Sequence, residues 1–193
     1  SLNKQDIEDI HRHPVDGAKL LIQSLEGNPL AAISAFEHHI RYDQTGYPQR
    51  LFGGPVNPAS MLVTIADVYD ALRSKRPYHE DMAPEKTYDE MMKFMGTNFD
   101  PKLLMNFFRI VGVFPPGTLV ELDDHSIGIV LRESATDIRR PQIELLYGPD
   151  GSKMPSGSIV NLLEQDRASG QFRRGIVKSL SPGKYDIPAR FKV

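Results

Sequence analysis

The chain has 193 residues, of which 40% are hydrophobic and 25% charged, with a formal net charge of −2 and no cysteine. This composition is typical of a globular protein with one large domain or two small ones. It excludes disulfides and thiolate metal sites, and it gives no overall reason to expect a nucleic acid or an anionic membrane as partner. No apolar run approaches the about 20 residues that span a bilayer, and no signal peptide is present, so we expect a cytoplasmic protein.

The first part of the chain has the apolar periodicity of helices. Apolar residues recur at helical spacing over residues 7–10 and 15–25. Pro14 suits a first helical position, and Gly27 can stop the helix. The sequence therefore predicts a helix that begins at Pro14, preceded by a short helical segment.

The second helical run begins at Pro29 and ends in two adjacent histidines, His38 and His39. A loop rich in glycine and proline follows, over residues 43–58, and this composition predicts turns. The clearest helix comes next, with an apolar seam formed by Met61, Ile65, Val68 and Leu72.

Two more helices are predicted before the composition changes. Pro84 opens the first of them, and Gly96 can stop it. Asp100 and Pro101 are a strong start signal for the second of these helices. The aspartate carboxylate can accept hydrogen bonds from the unpaired N–H groups of the first turn, and proline has no N–H that would need a partner there. Gly112 is expected to end this helix.

After residue 112 the pattern predicts a small antiparallel β module. The segment 113–117 contains two prolines and cannot continue a helix. Turn residues then separate four short β-type runs, at Thr118–Asp123, Ser126–Glu133, Gln142–Tyr147 and Ile159–Leu163. The tail from Ala168 either adds a strand at residues 175–180 or is partly disordered.

The C-terminal tail is locally basic. Residues 167–193 hold seven lysines and arginines and a single aspartate, a local charge of +6. A solvated chain end is the common explanation of such a run. Nucleic-acid binding ranks last among the functions considered, because neither an aromatic platform nor a recognition helix accompanies the charge.

The histidine pair and a later aspartate suggest a metal site. His38, His39 and Asp67 are the ligand types that suit a divalent metal such as iron or manganese. Adjacent side chains on a helix point about 100° apart, so two neighbouring histidines can serve different positions of a metal cluster at a helix end.

Five motifs occur in order at compatible spacing: His13-Pro14-Val15-Asp16-Gly17, His38-His39, Asp43 with Gly46-Tyr47-Pro48, Ala66-Asp67-Val68-Tyr69-Asp70-Ala71, and Arg76-Pro77-Tyr78. Together they resemble the HD-GYP branch of the HD superfamily, over about residues 6–112. The resemblance implies a helical, metal-dependent phosphodiesterase domain that acts on cyclic di-GMP in bacterial signal transduction. We therefore expect a mainly α fold, with an HD-like helical domain at residues 1–112 and a small β domain with a basic tail at residues 117–193.

The resemblance also implies the residues of the site. It assigns a cluster of two or three iron or manganese ions to the side chains of His13, His38, His39 and Asp67. It places near the nucleotide the residues Gly46, Tyr47, Pro48 and Arg76, of which the arginine can fork onto a phosphate.

The chain departs from the family pattern in three places. The His-Asp dyad that names the superfamily would lie some tens of residues before His13, where only twelve residues exist, so no catalytic residue is assigned. Ile40 and Gln44 stand where the family usually has glutamate and glycine. We expect an N-terminally truncated fragment whose parent protein hydrolyses cyclic di-GMP, with the fragment itself inactive and its metal site open to being empty. The alternative is a catalytically degenerate module that binds a nucleotide or partner signalling domains.

Overall fold

The computed structural model describes residues 4–24, 28–49, 53–74 and 81–191. It divides the chain into two compact units, the first made of residues 1–81 and 90–105 and the second of residues 82–89 and 106–193. The described residues contain five α-helices followed by a five-stranded antiparallel sheet. The predicted order, helices first and then a β module, is confirmed, whereas the expectation of a mainly α chain holds only in part.

The helices of the described chain are α1 at Lys4–Gln23, α2 at Pro29–Glu37, α3 at Pro58–Arg73, α4 at Pro84–Met92 and α5 at Pro101–Val111. Four of them begin at a proline, whose missing N–H is one that would have no partner in the first turn. The side chains of Asn28 and Asn57 cap α2 and α3 by accepting the N–H groups of Leu30 and Ala59, each at 2.9 Å. Helices α4 and α5 each contribute residues to both units. The domain limits predicted from the sequence stay a prediction.

Helix α1 corrects one expectation, because it runs unbroken through Pro14. The sequence placed the start of a helix at this proline. Proline inside a helix removes the hydrogen bond to the carbonyl four residues earlier, here that of Ile10. That carbonyl instead accepts a hydrogen bond from the His13 ring at 2.6 Å, which offsets part of the loss.

The second unit is built around a sheet with the strand order β4-β3-β2-β1-β5. Its strands are β1 at Leu119–Leu122, β2 at Ile127–Arg132, β3 at Gln142–Tyr147, β4 at Ile159–Asn161 and β5 at Ile176–Leu180. The four predicted β runs are therefore strands, and the tail adds the fifth. Successive side chains point to opposite faces, so Val120 and Leu122 join one buried cluster and Leu119 joins another with Ile129 and Ile187.

The basic tail is part of the folded unit. Arg174 pairs with Asp124 at 2.8 Å, and Lys178 pairs with Glu121 at 3.1 Å. Arg190 pairs with the buried carboxylate of Glu144. Much of the local positive charge is thus matched by acidic groups of the sheet. In the described part of the chain, no helix combines the length and the apolarity that a bilayer crossing requires.

Candidate metal centre

Three histidines from two helices converge in the first unit. His13 lies on α1, while His38 and His39 directly follow the end of α2. One nitrogen from each ring lies within 4.8 Å of the others, and this is the group of possible metal ligands found among the described residues. His13 Nε2 lies 3.0 Å from His38 Nε2 and 3.1 Å from His39 Nε2. The structure therefore brings together residues that stand 25 positions apart in the sequence.

Backbone carbonyls fix the orientation of two of these rings. His13 Nδ1 lies 2.6 Å from the Ile10 oxygen, and His38 Nδ1 lies 2.7 Å from the Ala35 oxygen. Because a carbonyl oxygen can only accept, each Nδ1 must carry a proton. In the neutral ring each Nε2 then holds a lone pair, which is the form that binds a metal.

The resulting donor set fits a divalent cation. Two nitrogen lone pairs cannot form a hydrogen bond with each other, so the close contact of His13 and His38 fits a positive charge shared by both nitrogens. Two imidazole nitrogens that bind one metal at about 2.1 Å on perpendicular axes lie about 3.0 Å apart. The observed spacings match this separation.

Electrostatics favour the neutral form of His39. Burial lowers the pKa of this imidazole to about 4, and the neighbouring His38 and His13 act in the same direction. The carboxylate of Asp67, on α3, acts in the opposite direction. His39 is thus unprotonated at neutral pH, as a metal ligand must be.

Asp67 lies near the cluster but outside its tightest part. Besides its effect on His39, it raises the pKa of Tyr47, whose burial is the larger cause of that shift. The ligand atoms within 4.8 Å of one another, among the described residues, are those of the three histidines. The role of Asp67 as a metal ligand stays a prediction.

The loop after the histidine pair folds back onto His39. Tyr47 donates its N–H to the His39 carbonyl at 3.3 Å, and Ile40 forms a β-bridge with Gly46. Gly46 has a φ of +102°, and a Cβ at this position would lie 2.2 Å from the His39 oxygen. Only glycine therefore allows this approach. The Tyr47–Pro48 peptide bond, which ends the turn, is cis.

A second anchor holds the other side of this loop. Tyr42 and Asp43 donate their N–H groups to the carbonyls of Asn98 and Thr97, at 3.1 and 2.9 Å. The Asp43 carboxylate accepts from the hydroxyl and the N–H of Thr45, and these bonds lower its pKa. The predicted binding loop is therefore tied both to the histidines and to the segment that precedes α5.

Sequence reasoning missed His11, because no motif marks it. Its ring stacks on Tyr47, with 3.8 Å between ring centroids and 20° between planes. Tyr47 also packs against His39, with centroids 4.6 Å apart. At these separations one face of a phenol has room for only one ring, so the two imidazoles lie on opposite faces of Tyr47.

Two of the three departures from the family pattern, Ile40 and Gln44, lie among the described residues. Ile40 is 2% exposed and lies in the core, so it supplies no polar group to the histidines. Gln44 is exposed and has a φ of +69°, the left-handed region that glycine adopts most easily. Arg76, the remaining predicted substrate residue, lies outside the described residues.

Comparison with known proteins identifies the family. The model of the HD domain family matches residues 1–103, and the chain belongs to this family. Similar proteins include a cyclic di-GMP phosphodiesterase of Pseudomonas aeruginosa, which is 31% identical over 76% of this chain and 35% of its own length. The resemblance to the HD-GYP branch is confirmed.

Two further relatives are also named as phosphodiesterases of cyclic dinucleotides. A cyclic di-GMP phosphodiesterase response regulator of Xanthomonas campestris is 35% identical over 56% of the chain and 29% of its own length. A 3′3′-cGAMP-specific phosphodiesterase of Vibrio cholerae is 34% identical over 53% of the chain and 20% of its own length. The chain thus spans about a third or less of each relative. The Pseudomonas match covers 146 residues, more than the 103 of the HD domain, and so extends into the second half of the chain.

Proposed function

We propose that this chain is the metal-binding part of a cyclic dinucleotide phosphodiesterase that acts in bacterial signalling. The observation that carries the proposal is the convergence of three imidazole nitrogens within 4.8 Å. The HD domain match and the names of the relatives support it. In this function His13, His38 and His39 hold a divalent metal.

Asp67 completes the proposed ligand set with an oxygen from α3. Imidazole and carboxylate together suit iron or manganese, and the proposed centre of the full-length protein holds two or three such ions. When bound, such a metal supplies an activated water and neutralises charge on a phosphoryl group.

The chain's own residues orient the ligands and shape the substrate side. The carbonyls of Ile10 and Ala35 hold two rings with Nε2 towards the centre. The loop of Gly46, Tyr47 and Pro48 borders the histidines, and in the proposal it faces the nucleotide together with Arg76. Tyr47 has an imidazole on each face, which suits a role at the ring edge or hydroxyl better than base stacking.

Cyclic di-GMP is the proposed substrate, since two of the relatives described above are named for its hydrolysis. Because one relative is named for 3′3′-cGAMP, this dinucleotide should be tested beside cyclic di-GMP as a substrate. The two molecules differ in one base, so their relative affinities report on base recognition rather than on phosphate binding.

The second candidate is a degenerate module that binds the nucleotide without cleaving it. Ile40 favours this alternative, because a buried aliphatic side chain replaces the carboxylate that could orient a metal-bound histidine. In this function the metal centre shapes a surface that binds the nucleotide. Partner signalling domains are proposed to bind to this module.

One experiment separates the two candidates. The full-length protein is loaded anaerobically with Fe²⁺ or Mn²⁺ and incubated with each dinucleotide, while calorimetry measures binding. Hydrolysis that is lost in His13→Gln and kept in His125→Asn, a change in the second unit, supports the phosphodiesterase. Binding without turnover supports the degenerate module. The absence of both binding and turnover contradicts both candidate functions.

A further inference from the structure

Pro14 creates an unusual acceptor in the middle of a helix. In a regular α-helix the N–H of residue 14 would donate to the carbonyl of Ile10. Proline has no N–H, and its ring presses on that same carbonyl and tilts it away from the helix axis. Pro14 is buried within α1, nine residues before the helix ends at Gln23. The Ile10 oxygen is therefore left without its usual helical donor.

His13 occupies the place of the missing donor. Its Nδ1 lies 2.6 Å from the Ile10 oxygen, while its Nε2 lies 3.0 Å from His38 Nε2. An exposed neutral imidazole exchanges between two tautomers, and only the one protonated on Nδ1 presents Nε2 as a ligand. The free carbonyl selects this tautomer and the ring orientation with it.

His38 reaches the same state by another means. Its Nδ1 donates to the Ala35 carbonyl at 2.7 Å. Ala35 lies in the last turn of α2, where carbonyls have no helical N–H to accept. Both rings thus use a carbonyl that lacks a helical donor, one because its helix ends and the other because of a proline.

We propose that Pro14 is a positioning residue of the metal centre, which acts by withholding a backbone N–H so that the Ile10 carbonyl fixes the tautomer of His13. The inference deepens the proposed function and rests on it. Nothing in the family match or in the names of the relatives assigns this role to the proline.

The test compares two helix-stabilising substitutions. Pro14→Ala restores an N–H that competes for Ile10, whereas Gly17→Ala leaves that carbonyl unchanged. Within the described part of the chain, an added Cβ at Gly17 would meet only the Ala35 Cβ, at 4.0 Å, so it fits without strain. Both variants should raise the melting temperature of the metal-free chain, because alanine is the better helix former.

Titration with Mn²⁺, followed by electron paramagnetic resonance of the free ion, then separates the two variants. We expect Pro14→Ala to bind about tenfold more weakly than the wild type, as for the loss of a group that orients a ligand, and Gly17→Ala to bind as the wild type does. A folded Pro14→Ala protein with unchanged affinity overturns the proposal.

Nitrogen NMR of the imidazoles gives an independent readout without metal. The signal of His13, identified by its loss in His13→Gln, should show the Nδ1-protonated tautomer in the wild type and a mixture in Pro14→Ala. A wild-type His13 protonated on Nε2 overturns the proposal, whatever the variant does. If the wild type binds no Mn²⁺ but shows the expected tautomers, the metal-centre function fails while the role of Pro14 in fixing the ring stands.

Discussion

The buried carboxylate of Glu37 accepts a hydrogen bond from the Ser60 hydroxyl at 2.9 Å, which joins the end of α2 to the start of α3. The same oxygen accepts the N–H of Asn57 at 2.9 Å. One turn further along α3, Thr64 donates its hydroxyl to the carbonyl of His38 at 2.7 Å. These bonds fix the helix that carries Asp67 relative to the histidine pair.

Glu37→Ala should therefore destabilise the first unit. It leaves the Ser60 hydroxyl and the Asn57 N–H without this acceptor, and we expect a loss of about 2–3 kcal/mol in the free energy of unfolding. Glu37→Gln keeps one oxygen and should cost about half as much. Urea denaturation measures both variants, and equal losses would show that the negative charge, rather than the acceptor, is what matters.

Gly46→Ala should damage the candidate centre directly. The new Cβ would lie 2.2 Å from the His39 oxygen, and the φ of +102° disfavours any side chain. We expect at least about 2 kcal/mol of destabilisation and a weaker Mn²⁺ affinity.

Gly53→Ala is the matched control, because no atom of the described residues lies within 4 Å of the Cβ it would add. It should change stability by less than about 0.5 kcal/mol. If both variants bind Mn²⁺ as the wild type does, the close approach of Gly46 to His39 is not needed by the centre.

Gln44→Gly should stabilise the chain. The left-handed conformation costs a side-chain-bearing residue about 1–2 kcal/mol, which glycine avoids, although its extra freedom in the unfolded chain offsets part of the gain. We expect a net increase of about 0.5 kcal/mol in the free energy of unfolding. A decrease would mean that the Gln44 side chain makes contacts of its own that stabilise the loop.

Metal addition should stabilise the first unit through its histidines. At a Mn²⁺ concentration about 100 times the dissociation constant, linkage predicts about 2.7 kcal/mol, visible as a rise in melting temperature. Chelation should reverse it. His39→Gln should abolish the shift and His125→Asn should keep it, and a shift that persists in His39→Gln would place the binding elsewhere.

The second unit should lose stability in acid through Glu144. The Gly157 N–H bond, with help from Arg190, holds the pKa of this carboxyl below its usual value of 4.5, although burial acts in the opposite direction. Because the folded pKa lies below the unfolded one, this contribution is present above pH 4.5 and is lost as the pH falls through the folded value.

Glu144→Gln should therefore flatten the pH dependence of unfolding below about pH 4.5, the usual pKa of this carboxyl. Asp186→Asn is the control, because its ion pair with Lys153 is exposed and should contribute little. Circular dichroism of the β signal follows both variants. If the pH dependence of unfolding is unchanged in Glu144→Gln, a group other than Glu144 causes the acid sensitivity.

The sequence was informative wherever a local rule determines the structure. Pro29, Pro84 and the Asp100–Pro101 pair marked three helix starts, and strand-like runs between turn residues marked the sheet. Histidines at 13, 38 and 39 could be grouped only through the family resemblance, since nothing local shows that α1 and α2 bring them together. The stacking of His11 on Tyr47 depends on the path of a loop, and Pro14 was misplaced because its compensating bond comes from a side chain.

The division of α4 and α5 between the two units has a practical consequence for dissecting the protein. Tyr88, on α4, packs against the core of the sheet, although it precedes the first strand by about thirty residues. A protease that cuts near residue 115 would leave this tyrosine on the N-terminal piece and remove it from the β core. Neither product would then be a self-sufficient folding unit. A cut before residue 82 would not solve this, because it separates residues 90–105 from the rest of the first unit.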